Sequence, residues 1–267
     1  MQRLFNIFLL IICLCFFVPL TEAKEIKFIQ ISDLSFNSDE NSVENYKKAV
    51  NKINKTKDLD FVVFTGGNLA FSNADLLKEF LKISKKIKRP YYIQIGTSDC
   101  QKNQGITKEK YIKLLNKYSN RHYKSFNYVV KKGNVVLVFV DGSKQFIPTT
   151  GYYKADTVIW LDKVLTKYED KNIVIFQYFP LYKADATVNT HLHKPDIYFD
   201  VLKKHKNVIA VFSGALNGTF YDVYEDNVLH STAKPAYVNS SNYKEIYLND
   251  NDGGKYEIYM KDVDFNY

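Results

Sequence analysis

The sequence predicts an α/β fold in which two β-sheets pack together with helices outside. Two observations carry this prediction. Apolar runs of strand length alternate with amphipathic segments as far as Tyr118, the pattern of parallel strands joined by crossover helices. Beyond Ser125 the strands crowd together, which calls for a second sheet. A chain of 267 residues, 46% of them hydrophobic, is long enough to bury such a core in one large domain.

Each element has its own signal. Ile26–Ser32 (IKFIQIS) reads as a buried strand. From Glu40 to Asn54, Val43, Tyr46, Val50 and Ile53 recur at helical spacing. Leu59–Thr65 is a second strand, and Asn73 caps a helix through Lys86 with Leu76, Leu77, Phe80, Leu81 and Ile83 on one face. Pro90–Gly96 is a third strand, and Thr107 caps a helix that turns Tyr111, Leu114, Leu115 and Tyr118 inward. Two strands then flank the turn Lys132-Gly133-Asn134. A helix begins at Asp156. Asn172–Pro180 is a strand, residues 181–194 are a loop, and Pro195 opens a helix over Asp196–Lys206. Asn207–Gly214 is a strand. Short strands follow at Gly218–Tyr224, Asn227–Ser231, Glu245–Leu248 and Lys255–Lys261, with Asn251-Asp252-Gly253-Gly254 joining the last two.

Residues 1–23, MQRLFNIFLLIICLCFFVPLTEA, combine a positive Arg3, an apolar run from Leu4 to Leu20 and a terminal small residue, Ala23. They read as a signal peptide, which leaves residues 24–267 as a single domain. The expected location is therefore outside the cell proper: periplasmic, secreted or envelope-associated. Membrane attachment is expected only where the segment stays uncleaved. Cys100 is then the one remaining cysteine, so no intramolecular disulfide forms, and it reads as an inert thiol. The formal net charge of +8 comes mainly from scattered lysines and reads as a solvated surface. No Arg-rich or aromatic-interleaved run points to nucleic-acid readout.

Ligands of parallel sheets bind beyond the carboxyl ends of strands. Those ends read SDLSF from Ser32, TGGNLAF from Thr65, IGTSDC from Ile95, QYFPLY from Gln177 and SGALNG from Ser213. With these loops the sequence resembles the calcineurin-like metallophosphoesterases, in the broad group that includes class III cyclic-nucleotide phosphodiesterases. The resemblance covers about residues 26–225. It implies a four-layer αββα sandwich of two mixed β-sheets. It also implies a family chemistry in which two divalent ions such as Mn, Fe or Zn, about 3.5–4 Å apart, clamp a phosphate and activate water. A further His of the family protonates the leaving oxygen.

Placed on the family pattern, this chain keeps glycines and loses ligands. Asp33 matches the first metal Asp, whereas Ser35 stands where its paired His should be. Gly66 matches, and Gly67 replaces the bridging Asp. Gly96 matches; Thr97 replaces the bridging Asn, Ser98 replaces the catalytic His, and Asp99 matches the next acidic residue. Tyr178, or Phe179 beside it, replaces the next metal His. Gly214 matches, and Ala215 and Asn217 replace both His residues of the last motif. Losing most direct ligands should abolish tight metal binding, since even outer-shell changes cost about 10–100-fold in affinity. The expectation is no metal cofactor, no catalytic residue, and a binding or scaffold role for a catalytically inactive member. The partner is unknown; a protein or an envelope polymer fits an exported chain.

Two other readings stay open. One is a residual metal-dependent phosphoric ester hydrolase with a single ion, held by Asp33, His191 and His193. The other is a charge-driven binder of an anionic envelope surface, tested by salt. Asn68, Asp99, Tyr178, Phe179, Tyr182 and Asn217 are the expected lining of the old cleft. Asp33 and Asp99 also read as loop-holding carboxylates. His205 ends a basic helix and reads as solvated, and His122 and His230 have no evident partners.

Overall fold

In the computed structural model the described residues are 25–103, 105–119, 121–145, 151–182, 195–214, 221–236, 242–251 and 255–264. Residues 1–23, His191, His193, Ala215 and Asn217 lie outside them. Among the described residues no helix is long and apolar enough to cross a membrane.

The first half follows the predicted alternation. β1 (Ile26–Ile31), α1 (Glu40–Lys55), β2 (Phe61–Phe64), α2 (Ala74–Ser84), β3 (Tyr91–Ile93) and α3 (Lys108–Tyr118) succeed one another. The second half holds β4 (Tyr128–Lys132), β5 (Val135–Val140), α4 (Ala155–Lys167), β6 (Asn172–Gln177), α5 (Asp196–Lys204), β7 (Val208–Ser213), β8 (Asp222–Glu225), β9 (Val228–Thr232), β10 (Asn242–Asn251) and β11 (Lys255–Asp264). Asn73 and Thr107 cap α2 and α3, accepting hydrogen bonds from first-turn N–H groups as their side chains predict. Gly133 makes the β4–β5 turn at φ 61°, a left-handed conformation that glycine adopts without strain.

The strands form two mixed sheets. One runs β11-β10-β1-β2-β3 and the other β4-β5-β6-β7-β9-β8. The alternation along β1 shows why they stack. Phe28 faces the second sheet, while Ile29 and Ile31 face the helices. Between the sheets Phe28 stacks on Phe61 at 4.9 Å and meets the edges of Phe176 and Phe212 at 5.5 and 5.4 Å. α1, α2 and α3 cover the outer face of the first sheet, and α4 and α5 that of the second. The result is the αββα sandwich of two mixed β-sheets.

The sequence reading falls short in two places. β10 and β11 pair antiparallel and are ten residues long each, longer than either predicted strand. The prediction begins only at Glu245, after the charged Lys244; both are buried because each is paired. The Lys244 ammonium reaches Asp222, Ser231 and the Thr232 carbonyl, and Glu245 pairs with Lys27 and Lys261. His205 is also not solvated. It is 9% exposed, with Nε2 2.6 Å from the Asp162 carboxylate that α4 presents to it.

His230, on β9, packs its ring 4.7 Å from that of Tyr182 and is 4% exposed. Burial pushes its imidazole down from 6.5 to about 4. As pH falls, the unfolded chain takes up the proton before the folded one. Stability is therefore complete above about 6.5 and declines towards pH 4, by up to roughly 3 kcal/mol. Urea midpoints measured across this range should fall for the unaltered chain and flatten for His230→Gln; equal slopes would refute the assignment.

Candidate functional site

All five loops named from the sequence leave carboxyl ends of parallel strands, after β1, β2, β3, β6 and β7. The first two run side by side. Asp33 N–H donates to the Gly66 carbonyl at 2.8 Å, Ser35 N–H to Gly67 at 2.9 Å, and Phe36 N–H to Asn68 at 2.9 Å. This pairing forces unusual backbone. Asp33 and Ser35 sit at φ 50° and 48°, and Gly66 and Gly67 at φ 113° and 64°. Left-handed non-glycine residues store strain and concentrate at functional sites.

Asp99 ties the second and third loops. It is fully buried and accepts from the backbone N–H groups of Gly96 (2.7 Å), Gly67 (3.0 Å), Leu69 (3.0 Å) and Asn68 (3.3 Å), and from the Asn68 side chain (3.2 Å). Burial pushes its carboxyl up to about 6, while those backbone bonds pull it down. All five partners are donors, so the arrangement matches the carboxylate. The Thr97–Ser98 turn lies between, with the Ser98 hydroxyl donating to the Leu69 carbonyl at 2.6 Å. In this position Ser98 holds a loop.

Tyr178 dominates the centre. Its phenol donates to Asp33 Oδ1 at 2.6 Å, and the Ser32 hydroxyl donates to Asp33 Oδ2 at 2.6 Å. Burial, and then the Asp33 carboxylate, push the phenol well above its ordinary value, so it remains a donor. The ring lies on a wall of glycines. A Cβ added to Gly66 or Gly214 would come 2.6 Å from Tyr178 Cδ2, and one on Gly96 would come 2.8 Å from Cε2. A Cβ on Gly67 would lie 2.5 Å from Asp33 Oδ1. Phe179 turns away and packs on Gly151, so Tyr178 is the one of the two that enters the site.

The structure thus brings Asp33, Ser35, Gly67, Thr97, Ser98, Asp99 and Tyr178 to one end of the strands. The expected cleft lining needs correction. Asn68, Asp99, Tyr178 and Phe179 are 1%, 0%, 3% and 1% exposed, packed beneath the surface, and only Tyr182 of the described set is partly exposed. The reason is that Tyr178 fills the space between the loops. Among the described residues no group of three or more His, Cys, Asp or Glu is placed to hold a metal ion. Cys100, next to Asp99, is buried, and burial raises its thiol well above the ordinary range. Sequence reading missed the polar link beneath the site. Gln30, the uncharged polar residue within IKFIQI, donates from Nε2 to the Ser213 carbonyl at 2.9 Å and to Thr65 Oγ1 at 3.2 Å, joining the sheets.

Two stacked mixed sheets, helices outside and five loops gathered at strand ends define a metallophosphoesterase fold. No protein-family model matches the chain. It is 22% identical over 200 residues to a probable cyclic nucleotide phosphodiesterase of Moraxella catarrhalis, covering 73% of this chain and 72% of that protein. It is 22% identical over 223 residues to a probable glycerophosphodiester phosphodiesterase of Arcobacter nitrofigilis, covering 78% of each. A dimetal phosphatase from Danio rerio superposes at TM-score 0.68 with 13% identity, over 90% of this chain and 98% of that one. The anchor of the inner membrane complex of Plasmodium superposes at TM-score 0.56 with 11% identity, over 90% and 85%. These likenesses give the chain the fold of the dimetal phosphatases and similarity to probable phosphodiesterases.

Two substitutions probe the centre. Tyr178→Phe removes a hydrogen bond to a buried carboxylate and should cost about 1.5–3 kcal/mol of stability in urea unfolding. Gly67→Asp should also destabilise, by at least about 2 kcal/mol, because its Cβ meets Asp33 at a left-handed position. A stability gain in Gly67→Asp would overturn this description of the site.

Proposed function

We propose that the protein is an exported, catalytically inactive member of its family that acts by binding, as a scaffold or anchor. One observation carries the reading: the Tyr178 ring packs on Gly66, Gly96 and Gly214 and gives its phenol to Asp33. Asp33 is the one direct metal-binding residue of the family pattern that this chain retains. The residues at the other described metal positions, Ser35, Gly67, Thr97 and Tyr178, do not fit a two-metal centre. Gly67 has no donor side chain, and hydroxyls are poor substitutes for carboxylate and imidazole ligands. Two anionic carboxylates with no cation between them would repel. Gly67 removes that conflict, and Tyr178 satisfies the remaining carboxylate with a neutral donor. The likeness to the Plasmodium anchor supports the idea that this fold serves for attachment. Residues 1–23 support export by their composition.

A second reading is favoured by the names of the curated relatives, both probable phosphodiesterases. It is a residual hydrolase of phosphate esters that uses one ion, with Asp33, His191 and His193 as ligands. Metal content separates the two. Purified protein incubated with Mn²⁺, Zn²⁺ or Fe²⁺ and freed of excess is expected to retain no stoichiometric metal and to leave bis(p-nitrophenyl) phosphate intact. Retained metal together with turnover that is lost in Asp33→Ala and His191→Ala would establish the second reading instead.

A further inference from the structure

The amino ends of the strands carry a different chemistry. Two short basic runs lie apart in the sequence, Lys85-Lys86-Ile87-Lys88-Arg89 before β3 and Arg121-His122-Tyr123-Lys124 after α3. The fold brings them to the walls of one cavity of about 720 Å³, lined in part by Lys88, Arg89, Arg121, His122 and Tyr92. Pro90, also on its wall, immediately precedes β3, and its carbonyl receives the Val62 N–H of β2. The cavity therefore opens at the end of the sheet opposite to Tyr178. Its volume lies within the usual range of small-molecule sites, about 300–1,000 Å³.

Among the described residues no carboxylate lines this cavity. Among the described residues, none of Lys88, Arg89 and Arg121 is in an ion pair, although lysines elsewhere on the surface pair readily. Arg121 is also built in. Its guanidinium carbon lies 5.5, 5.7 and 5.3 Å from the ring centres of Tyr92, Tyr123 and Tyr128. Its Nη2 donates to the Val129 carbonyl at 3.4 Å, and its Nε is buried with no acceptor. Cation–π contact offsets the desolvation of a guanidinium only in part. A guanidinium fixed by three rings, beside two exposed cations with no counter-charge, is a preorganised receptor for an anion.

We propose that this cavity binds a ligand with clustered phosphate groups, either free in solution or as the headgroup of a lipid. The proposal stands apart from the reading of the strand-end site, because none of the cavity residues takes part in that site. Phosphate is favoured because its oxygens accept both the planar fork of arginine and the point charge of lysine, and clustered phosphates match several fixed positive charges around one space.

The test is titration calorimetry of the purified protein with inorganic tripolyphosphate, paired with flotation on phosphatidylcholine vesicles with and without a bisphosphorylated phosphoinositide. Binding of one ligand per chain, weakened by salt, is expected with at least one probe. Tripolyphosphate alone would identify a soluble ligand, and vesicles alone a headgroup. Lys88 and Arg89 are exposed, so the double variant Lys88→Glu/Arg89→Glu should fold normally and bind about tenfold more weakly or worse. Lys203→Glu/Lys206→Glu, the same charge change at the end of α5, should bind as the unaltered chain does. Binding to neither probe would overturn the proposal. So would equal weakening in both double variants, which would assign the effect to net charge.

Discussion

The hydrogen bond from Tyr178 to Asp33 is the contact on which the arrangement at the strand ends depends. Tyr178 follows β6 in one sheet and Asp33 follows β1 in the other, so the bond closes the sandwich where its two layers would otherwise part. Each partner needs the other. A buried carboxylate requires donors, and a phenol whose proton is held tightly by burial is a suitable one. The glycines give the ring room to lie flat, and Asp99 holds their loops at the right height. Remove the phenol, and Asp33, already in a left-handed conformation, loses its link across the layers.

Under that contact the two halves of the molecule meet in a core dominated by phenylalanine. Phe28, Phe61, Phe139, Phe176 and Phe212 interlock between the sheets, and Gln30 and Gln177 finish the layer at its polar end. The opposite end has no such seal. Lys88, Arg89 and Arg121 line a cavity there, at the amino ends of the strands and away from Tyr178.

The fold was largely legible because its signals are local. Alternating apolar runs, the caps Asn73 and Thr107, and the Lys132-Gly133-Asn134 turn each act within a few residues. β10 reads short at its start because Lys244 is buried through partners outside the strand, which periodicity cannot register. At the site, the positions of Asp33, Gly67, Ser98 and Tyr178 followed from the resemblance, but their relations did not. The sequence could name the residues that stand at the strand ends. It could not show that a tyrosine ring fills the space beside the glycines, because this depends on the side-chain direction of one residue across two sheets. Arg121 and Lys88 were dispersed in a scattered charge until the fold placed them together.

The glycine wall has a consequence for reading relatives of this chain. In a hydrolase of the family, Gly66, Gly96 and Gly214 belong to the motifs that carry the reaction. Here they are kept by steric necessity, since any larger residue would strike the ring or the neighbouring backbone. Packing alone is thus a sufficient reason for small residues in such loops, so the glycines by themselves do not report on chemistry. Among such sequences, an aromatic residue at the position of Tyr178 should travel with glycine at all three positions.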